Sequence, residues 1–137
     1  MSDAVKEIAG ILAETPMCFV ATVSGNEPRV RAFQYQFEQD GKLWFCTARS
    51  KDVFRQLQAN PAVQVCAVRQ DMTWLRVSGK VSLEDNRAVK ERILSERPLI
   101  KSLYGTADNP DFTTFCIEHG AYTIADFSGK PPRGGSF

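Results

Sequence analysis

Thr47, Ser50 and Lys51 fall where a strand-like stretch gives way to a helix-like one. Trp44-Phe45-Cys46-Thr47 is aromatic, thiol and β-branched, the types that suit a pleated surface. Val53, Phe54 and Leu57 then carry the apolar spacing of a helix face. Ser50 reads as the helix N-cap, and Asp52 in the first turn suits the positive end of the helix dipole. A helix N-terminus presents N–H groups without intrahelical partners and favours anions. Two hydroxyls and a lysine at that point form a phosphate cradle; the same residues also make an ordinary capped helix with a solvated lysine. Arg31 is the second candidate, a guanidinium inside a strand pattern. It shares a face with Phe33, Tyr35 and Phe37, while Val30, Ala32, Gln34 and Gln36 take the other. On such a face a guanidinium needs an anionic partner or solvent. Trp74 and Tyr35 have the shape to pack on a flat heteroaromatic ring, although strand aromatics more often build core. Arg29 and Arg49 flank the same elements and read as solvated charges. Arg76, Lys80, Lys130 and Arg133 are candidate charges on a substrate side.

The elements that would position these residues follow from pattern. Residues 3–14 carry a helical stripe capped by Ser2 or Asp3. Met17–Val23 is a nearly continuous apolar run of strand type, and Ser24–Pro28 is a turn. A strand over 29–37 leads through a turn at Gln39-Asp40-Gly41 into a strand over 42–47. After the helix at about 50–59, strands are expected over 62–68 and 73–83, with Gly79 marking a bulge. Asp85 is the expected cap of a helix reaching Ser95, and 98–104 adds a short one. A hairpin of 112–118 and 122–127 is expected around His119-Gly120, and the tail 130–137 reads as a flexible segment without element pattern. About seven closely spaced strands with helices between them predict a mainly β fold, an antiparallel barrel with peripheral helices. No G-x-G-x-x-G follows the first strand, which sets a Rossmann fold aside.

Composition narrows the classes. The 137 residues make one domain, 43% hydrophobic and 24% charged. A net charge of +1 gives no steering toward nucleic acid or an anionic membrane. No apolar run approaches the roughly 20 residues of a membrane span, and the N-terminus lacks a secretory pattern. Cys18, Cys46, Cys66 and Cys116 form no CxxC pair, so reduced, buried thiols in a cytoplasmic protein are expected rather than a zinc site. His119 is the single histidine, which leaves His-based triads and metal sites unsupported.

The order of motifs resembles the pyridoxamine-phosphate-oxidase-like, FMN-binding split-barrel superfamily. The matching pieces are Val20-Ala-Thr-Val23, Glu27-Pro-Arg-Val-Arg-Ala-Phe33 and Gly41-Lys-Leu-Trp-Phe-Cys-Thr47. Ser50-Lys51, Ala59-Asn-Pro-Ala-Val-Gln-Val65 and Trp74-Leu-Arg-Val-Ser-Gly-Lys80 follow, so the likeness spans roughly residues 5–127. It implies a split barrel in which Arg31 contacts the phosphate of FMN, completed by Thr47, Ser50 and Lys51. It also implies that the backbone of Ala32 and Phe33 lies along the isoalloxazine ring and that Trp74 approaches from a second subunit of a homodimer. The implied activity is that of a flavin-dependent oxidoreductase on a small flat substrate at the dimer interface, with NAD(P)H as reductant. The alternative is a non-catalytic module that binds flavin, deazaflavin or haem. Members that make pyridoxal phosphate carry a C-terminal arginine–histidine pair. Arg133 stands here without one, so the chain is more similar to small, nitroimidazole-reductase-like members. The tail from Lys130 to Phe137 is expected either to cover the partner's flavin site or to be disordered.

Overall fold

In the computed structural model, which describes residues 2–137, the Ser2 side chain caps the first helix by accepting from Val5 N–H at 3.2 Å. That helix, α1 (Asp3–Glu14), buries Val5, Ile8, Ile11 and Leu12 against the sheet. β1 (Met17–Ser24) turns Cys18, Val20 and Thr22 inward and leaves Met17 and Phe19 exposed. It pairs antiparallel with β2 (Glu27–Gln34), Val20 facing Arg31. The strand expected over 29–37 is divided at Tyr35-Gln36. Tyr35 N–H donates to Pro16 O at 2.7 Å, but Gln36 N–H donates to Trp44 O at 3.1 Å. The chain thus changes neighbours there, and β3 (Phe37–Gln39) pairs with β4 (Lys42–Ala48). Asp40 and Gly41 both have positive φ, 57° and 77°, as a tight hairpin turn between twisted strands requires.

Next come α2 (Asp52–Ala59), β5 (Ala62–Val68), β6 (Trp74–Ser82), α3 (Arg87–Glu96), α4 (Pro98–Tyr104), β7 (Phe112–Ala125) and β8 (Arg133–Ser136). Four expectations change. Lys51, not Ser50, holds the N-cap position of α2 and makes no side-chain cap bond; Ser50 is drawn to Asp111, which accepts from its N–H (2.8 Å) and its hydroxyl (2.9 Å). Asn86, not Asp85, caps α3, because the Asp85 carboxylate is taken by Arg49 (2.9 Å) and Lys90 (2.7 Å). The expected C-terminal hairpin is one continuous strand, β7. Gly120 marks a close approach there, since a Cβ on it would lie 2.1 Å from Ser78 O. The tail holds β8, which pairs with β7 from Ala121↔Ser136 to Ile124↔Arg133. The bulge expected at Gly79 is present, as a register shift between Gly79 and Val81.

The sheet runs β2-β1-β5-β6-β7-β4-β3, with β8 added to β7. β7 makes this possible by pairing with β4 through Phe112–Ile117 and with β6 from Cys116 to Ala125, across the register shift. The end strands β2 and β3 follow each other in the chain without a ladder joining them, so the antiparallel barrel is split. Val20, Phe45, Val65, Leu75, Val77, Phe115 and Ile117 fill it beneath α1. Outside it, α3 and α4 cover Phe37, Trp44, Phe112 and Cys116. All four cysteines are free thiols. No helix of the described residues is long and apolar enough to cross a membrane.

Candidate functional site

The alternation that puts Arg31 and Phe33 on the inner face of β2 turns the guanidinium toward β1 and α2. Its Nη1 donates to Val20 O (3.2 Å) and to Thr22 Oγ1 (2.7 Å). Its Nη2 donates to Gln56 Oε1 (2.7 Å), which also accepts from Thr22 Oγ1 (2.6 Å). Every acceptor is neutral. Nearby arginines differ: Arg29 pairs with Glu27, Arg49 with Asp85 and Arg55 with Asp52. Among the described residues, neither Arg31 nor Lys51 has a carboxylate partner. Burial, with the repulsion of Arg29 added, pulls the Arg31 pKa below its ordinary value, the direction expected for a charge without a counter-ion.

Arg31, Ala32, Phe33 and Lys51 line one cleft of about 220 Å³, together with Gln34, Gln36, Cys46, Val53, Ile100, Leu103 and Tyr104. Its lining comes from β2, β4, the start of α2 and α4. Phe33 is held there edge-on to Phe45 (6.2 Å between centroids) and to Phe115 (5.7 Å). At the base, Arg97 donates to Gln36 Oε1 (3.2 Å) and Gln36 O (2.8 Å), fixing a glutamine that is otherwise buried. Burial pushes the Cys46 thiol up to about 12, while Lys51 and Arg97 pull the other way. A larger cleft of about 510 Å³ lies on the other flank of α2, but its cations, Arg29 and Arg55, are neutralised by Glu27 and Asp52. The smaller cleft is the one suited to an anion.

The remaining sequence candidates are not part of this lining. Thr47 follows Cys46 on β4 and is 2% exposed, and its Oγ1 has no hydrogen-bond partner in the structure. A buried hydroxyl with nothing to bond is costly unless a ligand uses it. Ser50 is exposed and bonded to Asp111. Trp74 begins β6 on the outward face, opposite Val68 and against Phe127 (4.8 Å). His119 is 80% exposed on β7. Sequence reasoning missed Thr22, Gln56 and Cys46. Inward alternation on β1 signals Thr22, but nothing local marks Gln56, which meets Arg31 only through the fold.

The sequence profile of pyridoxamine 5'-phosphate oxidase matches residues 4–122. This chain belongs to the pyridoxamine 5'-phosphate oxidase family. A NimC/NimA family protein from Clostridium acetobutylicum is 32% identical, with TM-score 0.89 over 98% of this chain and 92% of that one. A pyridoxamine 5'-phosphate oxidase-related, FMN-binding protein from Nostoc punctiforme shares the fold at 15% identity and TM-score 0.67, covering 98% and 90%. An F420 reductase shares it at 23% identity and TM-score 0.63, covering 82% and 93%. No curated protein matches the chain.

The donors present fit a flavin phosphate. Arg31 and Lys51 supply uncompensated positive charge, and the orphaned Thr47 hydroxyl belongs to the end of β4, just before the α2 entrance at Lys51. The apolar wall of Ala32, Phe33, Ile100 and Leu103 suits a flat ring.

Proposed function

We propose that this family member binds FMN in the cleft and acts as a flavin-dependent oxidoreductase on a small flat substrate, with NAD(P)H as reductant. The observation that carries the reading is Arg31, a half-buried guanidinium bonded only to neutral acceptors and facing a cleft shared with Lys51. In this reading Arg31, Lys51 and Thr47 hold the phosphate, Ser50 keeps the α2 entrance in place through Asp111, and Ala32 with Phe33 supports the ring. FMN supplies the hydride or electron chemistry, and the protein supplies orientation and electrostatics.

A homodimer is part of the proposal. The cleft of about 220 Å³ is smaller than the roughly 300–1,000 Å³ of pockets that enclose a ligand. A second wall is therefore needed. The outward sheet face supplies a surface for a partner: Met17, Phe19, Val30 and Val68 are 47–68% exposed. The ladder places Phe19 between Ala32 and Cys66 on that face, and Trp74 beside Val68. Apolar side chains so grouped mark an interaction surface, and closed two-fold pairing is the commonest way to cover one. Synthesis of pyridoxal phosphate is not part of the proposal, because Arg133 is bound to Glu7 at 2.6 Å.

The test is the visible spectrum of purified protein and of the supernatant after heat denaturation. Released FMN supports the reading. A deazaflavin spectrum keeps the phosphate site and changes the ring, whereas a haem Soret band favours the binding-module alternative and removes the phosphate assignment. Colourless protein that takes up no added FMN rejects it. Oxidation of NAD(P)H by the loaded protein then separates an enzyme from a store.

A further inference from the structure

Arg31 has N–H donors on both edges of its planar fork. Thr22 Oγ1 and Gln56 Oε1 are themselves 2.6 Å apart, and they accept from Nη1 and Nη2 respectively. They therefore occupy the end-on edge, the two parallel N–H groups of the fork. Val20 O takes the other Nη1 hydrogen. Nε–H and the second Nη2–H, which together make the side-on edge, have no protein acceptor among the described residues. That edge matches two oxygens of a phosphate. The side chains that hold the fork are an alcohol and an amide, so they fix its direction without cancelling its charge. Gln56 reaches Arg31 from α2, the helix that Lys51 begins, and so ties both cations to one rigid element.

We propose that Thr22 and Gln56 are positioning residues that present the side-on edge of Arg31, fully charged, to the phosphate of the cofactor. This rests on the phosphate assignment made under the proposed function. A glutamine here, rather than the isosteric glutamate, is the specific feature: a carboxylate at 56 would keep the packing and the hydrogen bond but would satisfy Arg31 internally.

The experiment measures FMN and riboflavin affinity for flavin-stripped protein, by quenching of flavin fluorescence, in wild type, Gln56→Glu, Thr22→Val and Arg31→Ala. Riboflavin lacks the phosphate and reports everything else in the cleft. Wild type is expected to prefer FMN, and Gln56→Glu is expected to weaken FMN at least about tenfold, as loss of a charge-assisted contact implies. Riboflavin affinity and melting temperature should hold. In the Arg31→Ala background the same Gln56→Glu change should alter FMN affinity far less, because the residue acts through Arg31. Thr22→Val covers the case in which Gln56→Glu does not fold, and it should lower FMN affinity while sparing riboflavin. A parallel loss of both ligands would mean a structural role only and overturn the inference. So would an unchanged FMN preference in Gln56→Glu. A wild type that binds FMN no better than riboflavin would instead reject the phosphate assignment itself, and the positioning role with it.

Discussion

Thr47 is the residue whose environment is hardest to explain without a ligand. Its hydroxyl is buried and unbonded, so Thr47→Val removes an unsatisfied polar group and keeps the shape. The ligand-free variant should therefore melt at or above the wild-type temperature, while its FMN affinity falls. Loss of stability without loss of affinity would remove Thr47 from the site. Arg31→Ala and Lys51→Ala should each weaken FMN roughly 10- to 100-fold, with less salt dependence than wild type, read by titration at two ionic strengths. Arg31 was legible in the sequence because a charge on an aromatic strand face is conspicuous. Its partners were not, since Thr22 and Gln56 are 34 residues apart and meet only when α2 packs against β1. Ser50 does not cap α2 for a related reason: Asp111, far along the chain, takes its N–H and hydroxyl.

At the scale of elements, two strands differ from their patterns because tertiary pairing overrides local signals. His119-Gly120 has turn chemistry, yet β7 runs straight through it. The glycine is needed there for close approach to Ser78, not for reversal. Gly120→Ala should accordingly destabilise by about 1–3 kcal/mol, from overpacking against backbone, measured by denaturant unfolding. The tail had no apolar periodicity to announce β8, because Gly134 and Gly135 contribute backbone only. Its anchors are side chains at either end: Phe137 against Tyr122, and Arg133 against Glu7. The hydrogen bond from Arg133 holds the Glu7 carboxyl below its ordinary 4.5. A lowered carboxyl pKa stabilises the fold above the unfolded value, and the contribution is lost as pH falls below 4.5 through the folded value. Arg133→Ala should thus lower the melting temperature at pH 7 but change it progressively less below pH 4.5.

For the whole molecule, the exposed apolar sheet face predicts association. Wild type should sediment as a dimer, and Phe19→Glu should give monomers that bind FMN weakly, measured together by ultracentrifugation and titration. Burial of thiols makes a separate prediction. Cys18 is pushed up to about 11, and Cys46 and Cys116 to about 12, from an ordinary 9.0. The native state then holds protons that the unfolded chain releases. The contribution of these thiols to stability is complete below 9.0 and falls as pH rises from there toward 12. Melting scans between pH 8 and 11 should show this decline, and Cys46→Ala should reduce it.

The amino-acid sequence alone determined the mainly β class, most element positions, the Asp40-Gly41 hairpin, the bulge at Gly79 and the place of the phosphate candidates on β2 and at the start of α2. These are properties of periodicity, turn chemistry and residue type, which act over a few neighbours. Only the tertiary structure decided that β2 hands over to β3 at Tyr35-Gln36, that β7 does not turn, and that Arg31 keeps its charge between Thr22 and Gln56. Each depends on which distant groups become neighbours, and that is settled by the packing of the barrel rather than by local preference.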